Sequence, residues 1–356
     1  MSHLLDLTKD PVDLTVDLVN IESVSGNETS IADAVEEALQ ALPNLEVTRA
    51  GNNVVARTNL GRAERIVIAG HLDTVPFNDN LPAGRDESNL YGLGTCDMKS
   101  GCAVALHLAA TMPVTNRDIT YVFYDCEEVE AERNGLGVLA ASNPDLLEAD
   151  FAILMEPSDA VVEAGCQGTL RIDVTTRGER AHSARAWRGV NAIHGAAEVL
   201  ATLNAYQPRK PVIDGLEYHE GLNAVFISGG VAGNVLPDEC RISINYRYAP
   251  DRSEEEALAY VEDLFTGHEV EVSDSAPGAL PGLSVPAAAA FLEAVGGVAN
   301  PKFGWTDVSR FSALGVPAVN FGPGDPHFAH KHDEFVPIED IRVVDRQLRS
   351  WLGSES

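Results

Sequence analysis

The chain has 356 residues, a length that at about 150 residues per domain fits roughly two domains. Its hydrophobic share of 45% and charged share of 22% are those of a globular protein able to bury ordinary cores. Lys plus Arg number 25 against 54 Asp plus Glu, and the formal net charge of −29 argues against general binding to nucleic acid or anionic membranes while favouring cations.

The opening residues MSHLLDLTKD lack a basic stretch followed by an apolar core, so no signal peptide is expected. Val12, Leu14, Val16, Leu18, Val19 and Ile21 predict an amphipathic helix, and Ile31, Ala34, Val35 and Ala38 a second one after the turn at Ser25-Gly26-Asn27. Short apolar runs at Asn53–Arg57, Arg65–Ala69, Thr120–Tyr124 and Phe151–Met155 read as strands, with a helix over Ser100–Thr111 between the second and third. Such alternation predicts an α/β sheet buried on both faces.

From Gly168 the texture changes. Alternating Leu170–Thr176, helix Val190–Leu203, strands Ala224–Val231 and Cys240–Tyr248, helix Ser253–Phe265 and strand Glu269–Val272 spell β-α-β-β-α-β, the ferredoxin-like order. The α/β pattern resumes after the Pro/Gly-rich stretch Ala276–Val285, through strand Ala318–Phe321 to a helix at Ile338–Leu352. The expected organisation is a discontinuous α/β domain, residues 1–167 and 277–356, interrupted by an inserted ferredoxin-like domain, residues 168–276. No segment is apolar and long enough to span a bilayer. The five cysteines (Cys96, Cys102, Cys126, Cys166, Cys240) form no CxxC pair, so reduced thiols and a cytoplasmic location are expected.

Ionisable residues follow four of the predicted strands. Arg65–Ala69 runs into His71 and Asp73, Thr120–Tyr124 into Glu127 and Glu128, Phe151–Met155 into Glu156, and Ala318–Phe321 leads to His330 and His332. Asp97 immediately precedes a helix. Open α/β sheets bind ligands at the carboxyl ends of their strands, so a parallel sheet gathers these groups at one edge. Carboxylates crowded there repel unless cations are present, and mixed imidazole and carboxylate donors suit zinc, with cobalt or manganese as substitutes. Two adjacent glutamates point to different sides, so one can bind metal while the other faces a water as general base. Asp73, two residues beyond His71, lies on the same side of an extended chain and can orient the imidazole.

The motifs Gly70-His71-Leu72-Asp73-Thr74-Val75-Pro76, Gly92-Leu93-Gly94-Thr95-Cys96-Asp97-Met98-Lys99, Cys126-Glu127-Glu128 and Glu156-Pro157 resemble the M20 family of co-catalytic metallohydrolases over nearly the whole chain. The resemblance implies that the discontinuous domain is catalytic and that the inserted one is a lid and dimerisation domain. It implies two Zn2+ per subunit, one held by His71, Asp97 and Glu156 and the other by Asp97, Glu128 and His330, with the Asp97 carboxylate bridging them and the peptide bond from Asp97 to Met98 cis. It implies Glu127 as the base, and it favours His330 over His332 as the ligand. In the inserted domain it implies that His182 reaches across a homodimer to stabilise the oxyanion and that Asn234 and Arg247, together with Thr306 beyond that domain, contact an anionic N-acyl amino-acid substrate. Within the family the pattern is most like members that hydrolyse the N-succinyl amide of a diamino acid. Deacetylation of N-acetylornithine, aminoacylase or peptidase activity, and a non-catalytic metal-binding scaffold are the alternatives.

Overall fold

The computed structural model describes residues 5–353 and divides into two compact units, one of residues up to Ala164, Pro281–Asn300 and from Arg310 onward, the other of Gly165–Leu280 with Pro301–Ser309. The first unit carries an eight-stranded mixed sheet. Its order in space is Glu46–Ala50, Asn53–Arg57, Asp118–Tyr124, Arg65–His71, Phe151–Leu154, Ala318–Asn320, Val162–Ala164 and Ala299–Pro301. The four middle strands from Asp118–Tyr124 to Ala318–Asn320 run parallel. They are buried along almost their whole length, as runs such as Ile66-Val67-Ile68-Ala69 require when helices cover both faces.

Helices form where the apolar spacing predicts them. Pro11–Val19 starts with Pro at its first position, and the Asp10 side chain accepts the Val12 amide as N-cap. Helix Lys99–Thr111 is apolar on nearly every side and buries Cys102 through Leu106 against the sheet. Gly101 on this helix faces the end of strand Phe151–Leu154, where a Cβ would come within 2.2 Å of the Met155 carbonyl oxygen. The helix therefore lies flush on the backbone that leads into Glu156.

The second unit is a four-stranded antiparallel sheet in the order Gly221–Gly229, Glu239–Tyr248, Gly168–Arg177, Glu269–Ala276. That is the ferredoxin-like order expected from the sequence. Leu170, Ile172 and Val174 pair with Tyr246, Ile244 and Ile242, and the helices Ala192–Ala205 and Glu254–Leu264 close this face into a core with Val199, Val261 and Phe265. Ser253 opens the second helix with a complete capping box to Glu256.

The structure adds elements that the sequence pattern did not announce: strand Glu46–Ala50, helix Gly135–Ser142 with its two glycines, and the hairpin Val212–Ile213 with Leu216–Glu217. Strand Glu269–Ala276 also runs four residues further than expected, past a register shift between Val272 and Asp274. Among the described residues no helix is long and apolar enough to cross a membrane, and all five cysteines are free and buried.

Candidate metal centre

The carboxyl ends of the parallel strands hold the residues expected there. His71 closes strand Arg65–His71 and is buried, as are Asp73 and Glu156. Glu156 follows strand Phe151–Leu154, where Gly322 lets the neighbouring loop press against the carbonyls of Met155 and Glu156. Asp97 sits just before helix Lys99–Thr111, and its bond to Met98 is cis. His330 adopts a left-handed backbone conformation, φ 63°, in the loop beyond strand Ala318–Asn320.

Asp97 lies at the centre. Its Oδ1 is 3.0 Å from His71 Nε2, and its Oδ2 is 3.3 Å from His330 Nε2, which also lies 2.8 Å from Glu128 Oε1. Two triads of donor atoms result, His71–Asp97–Glu156 and Asp97–Glu128–His330, each with its atoms within 4.8 Å of one another. Glu127 joins His71 and Glu128 in a third grouping of the same tightness. His332 is exposed and belongs to none of these clusters.

The electrostatics are those of a cation site. Burial opposes charge on His71, yet hydrogen bonds and charge from Asp73 and Asp97 raise its pKa well above 6.5. Asp97 and Glu128 push His330 up to about 10. Asp97 itself is held below the ordinary carboxylate range, because the two imidazoles outweigh the burial that would raise it. A pocket that draws protons onto two imidazoles supplies the negative potential a divalent ion needs. Its donors, two imidazoles and three carboxylates, fit two ions that share one carboxylate.

Behind the cluster, Asp73 organises the support. Its Oδ1 accepts the Glu127 amide at 3.0 Å, and its Oδ2 accepts the Glu128 amide at 3.1 Å and the Ser25 hydroxyl at 2.7 Å. Asp73 Oδ1 also lies 3.5 Å from His71 Nδ1. One buried carboxylate thus ties the imidazole to the loop that carries both glutamates.

Glu334 is a positioning residue to which the sequence pattern assigned no task. Fully buried, its Oε1 accepts the amides of Cys96 and Asp97 at 2.9 and 3.1 Å, and burial raises its pKa to about 7. Its only sequence signal is the spacing of four residues after His330. Glu334→Ala is expected to weaken metal binding by roughly 10- to 100-fold, the usual cost of losing a group that orients a ligand. Glu334→Gln, which keeps one carbonyl acceptor, should recover much of that affinity in a chelator competition.

His182, Asn234, Arg247 and Thr306 lie in the second unit. His182 is exposed and its Nδ1 accepts the Ala184 amide at 3.1 Å, while the Ser183 amide bonds the Asn234 carbonyl at 2.9 Å. Arg247 Nε donates to Asn245 Oδ1 at 3.2 Å, and burial together with Arg171 lowers its pKa. The Thr306 hydroxyl is buried and has no hydrogen-bond partner among the described residues.

Comparison with known proteins places this geometry in a family. Residues 67–352 match peptidase family M20/M25/M40. The chain is 50% identical to a Corynebacterium glutamicum succinyl-diaminopimelate desuccinylase, with 98% of each chain covered. It is 54% identical to a Mycobacterium tuberculosis protein named provisionally as the desuccinylase DapE, with 98% of this chain and 100% of that one covered. A Staphylococcus aureus tripeptidase shares the fold at a TM-score of 0.80 and 23% identity, over 98% of both chains. The chain belongs to peptidase family M20/M25/M40, a family of metal-dependent hydrolases.

Proposed function

We propose that the protein is a homodimeric, cytoplasmic dizinc amidohydrolase that cleaves N-succinyl-LL-2,6-diaminopimelate to succinate and LL-2,6-diaminopimelate, a step of lysine and diaminopimelate biosynthesis. The observation that supports this reading is the clustering of imidazole and carboxylate donors at one sheet edge, in a chain half identical to a named desuccinylase over 98% of its length.

His71, Asp97 and Glu156 would hold one zinc, and Asp97, Glu128 and His330 the other. When bound, the ions polarise the scissile carbonyl and make water acidic enough to deprotonate near neutral pH. Glu127 takes the proton from the attacking water and returns it to the departing amine nitrogen. Asp73 keeps His71 in the tautomer whose Nε2 faces Asp97. Arg247 pairs with a substrate carboxylate, Asn234 and Thr306 supply polar contacts, and His182 of the second copy stabilises the oxyanion.

Residues 1–167 and 277–356 then form the catalytic domain, and residues 168–276 the lid through which copies pair. The edge strand Gly221–Gly229 favours such pairing, since it exposes Val225, Phe226 and Ile227 beside an unpaired backbone edge. Ile193 and Leu200 add exposed apolar surface on helix Ala192–Ala205.

The test is to offer zinc-loaded protein N-succinyl-LL-diaminopimelate and N-acetylornithine side by side, with and without chelator. Chelator-sensitive cleavage of the succinyl compound alone is expected. Cleavage of the acetyl compound alone would overturn the substrate and keep the chemistry. No cleavage of either with zinc bound would overturn the substrate assignment and leave the fold standing.

A further inference from the structure

A second group of donor atoms lies at the same end of the sheet and has no part in the proposed reaction. Glu28 immediately precedes helix Thr29–Gln40, while Asp125 and Cys126 follow strand Asp118–Tyr124. One carboxylate oxygen from Glu28, one from Asp125 and the Cys126 sulfur all lie within 4.8 Å of one another.

Glu28 is fully buried, and Cys126 is only 7% exposed. Glu28 Oε1 accepts the Gly26 amide at 2.6 Å and lies 3.4 Å from Cys126 Sγ. Glu28 Oε2 is buried as well and has no hydrogen-bond partner among the described residues. An orphaned carboxylate oxygen is costly inside a protein, and a second carboxylate beside it adds repulsion. Arg133 brings a positive charge to the rim, with Nη2 3.8 Å from Cys126 Sγ, but its Nη1 is shared with Glu130 at 3.5 Å and it leaves Glu28 Oε2 unpaired.

We propose that Glu28, Asp125 and Cys126 form a third cation site, selective for a thiophilic divalent ion such as Zn2+ or Cd2+. A sulfur donor beside two carboxylates suits borderline and soft metals, whereas Mg2+ and Ca2+ take oxygen ligands. Binding releases the Cys126 thiol proton to solvent and gives Glu28 Oε2 its missing partner. The site is independent of the substrate proposed above, and it is distinct in chemistry from the dinuclear cluster, whose donors include no sulfur.

That difference supplies the readout. Metal-free full-length protein is titrated with Co2+, and separately with Cd2+, while the thiolate-to-metal charge-transfer band and the bound metal are followed. Imidazole and carboxylate donors give no such band. The expected result is three ions per chain, one of them accompanied by the band. In Cys126→Ser the band disappears and two ions remain. In Glu28→Gln the banded step weakens by more than the roughly 100-fold that bounds the loss of an outer partner. Saturation without a band, or a band that survives in Cys126→Ser, would overturn the proposal. Should the variants not fold, the wild-type titration decides alone. A band without hydrolysis would contradict the proposed reaction and leave this site standing.

Discussion

Glu127→Gln is expected to lower kcat by roughly 10²- to 10⁴-fold, the usual contribution of a general base, with both metal ions retained. Glu128→Ala, one residue along, is expected to lose an ion. The contrast follows from the loop. Asp73 fixes the two backbone amides on its two carboxylate oxygens, so the neighbouring side chains leave a rigid turn in different directions. Glu128 Oε1 ends 2.8 Å from His330 Nε2, inside the donor triad with Asp97. Glu127 clusters with His71 and Glu128 but belongs to neither triad that includes Asp97. The glutamine variant keeps the shape of the side chain and removes its ability to accept a proton. Metal content by atomic absorption, read beside kcat, separates the two roles. Full activity in Glu127→Gln, or an ion count in Glu128→Ala equal to that of wild type, would refute the assignment.

Much of the centre was legible because its determinants are local. A buried parallel strand must be a continuous apolar run, so Ile66–Ala69, Ile119–Tyr124 and Phe151–Leu154 declare themselves, and the polar residues just past each run have only one edge to occupy. The inserted sheet was legible for the complementary reason. Leu170, Ile172 and Val174 alternate with polar neighbours, and Pro/Gly turns separate the elements. The parts that stayed hidden depend on partners distant in sequence. Strand Glu46–Ala50 is a strand because it pairs with Asn53–Arg57, and no residue of it is buried. The role of Glu334 exists only because the fold brings it to amides 237 and 238 residues away. Glu28 and Cys126 are likewise 98 residues apart, and neither lies in a recognisable ligand spacing.

Asp73→Ala is expected to destabilise the protein by about 3–5 kcal/mol, as does removal of one partner from a buried charged network. Asp73 is completely buried, and its loss strands the amides of Glu127 and Glu128 and the Ser25 hydroxyl together. The His71 ring keeps the Asp73 backbone carbonyl, 3.1 Å from Nδ1, but loses the charge of the carboxylate 3.5 Å away, so metal affinity should fall along with stability. Burial would raise the Asp73 pKa, but His71, Ser25 and the Glu127 amide outweigh it and hold the carboxyl below its ordinary value. A carboxyl depressed in the folded state stabilises fully above the unfolded value of about 3.9, and that contribution vanishes as pH falls through the folded value. Wild type and Asp73→Ala should therefore differ most near neutral pH and converge in strong acid. Asp73→Asn keeps one acceptor but turns an NH2 group toward the second amide, so it should fall between the two in stability. Urea unfolding across pH measures this directly. A gap between wild type and Asp73→Ala below about 0.5 kcal/mol at neutral pH, the range of an ordinary surface change, would show that the carboxylate does not organise the loop.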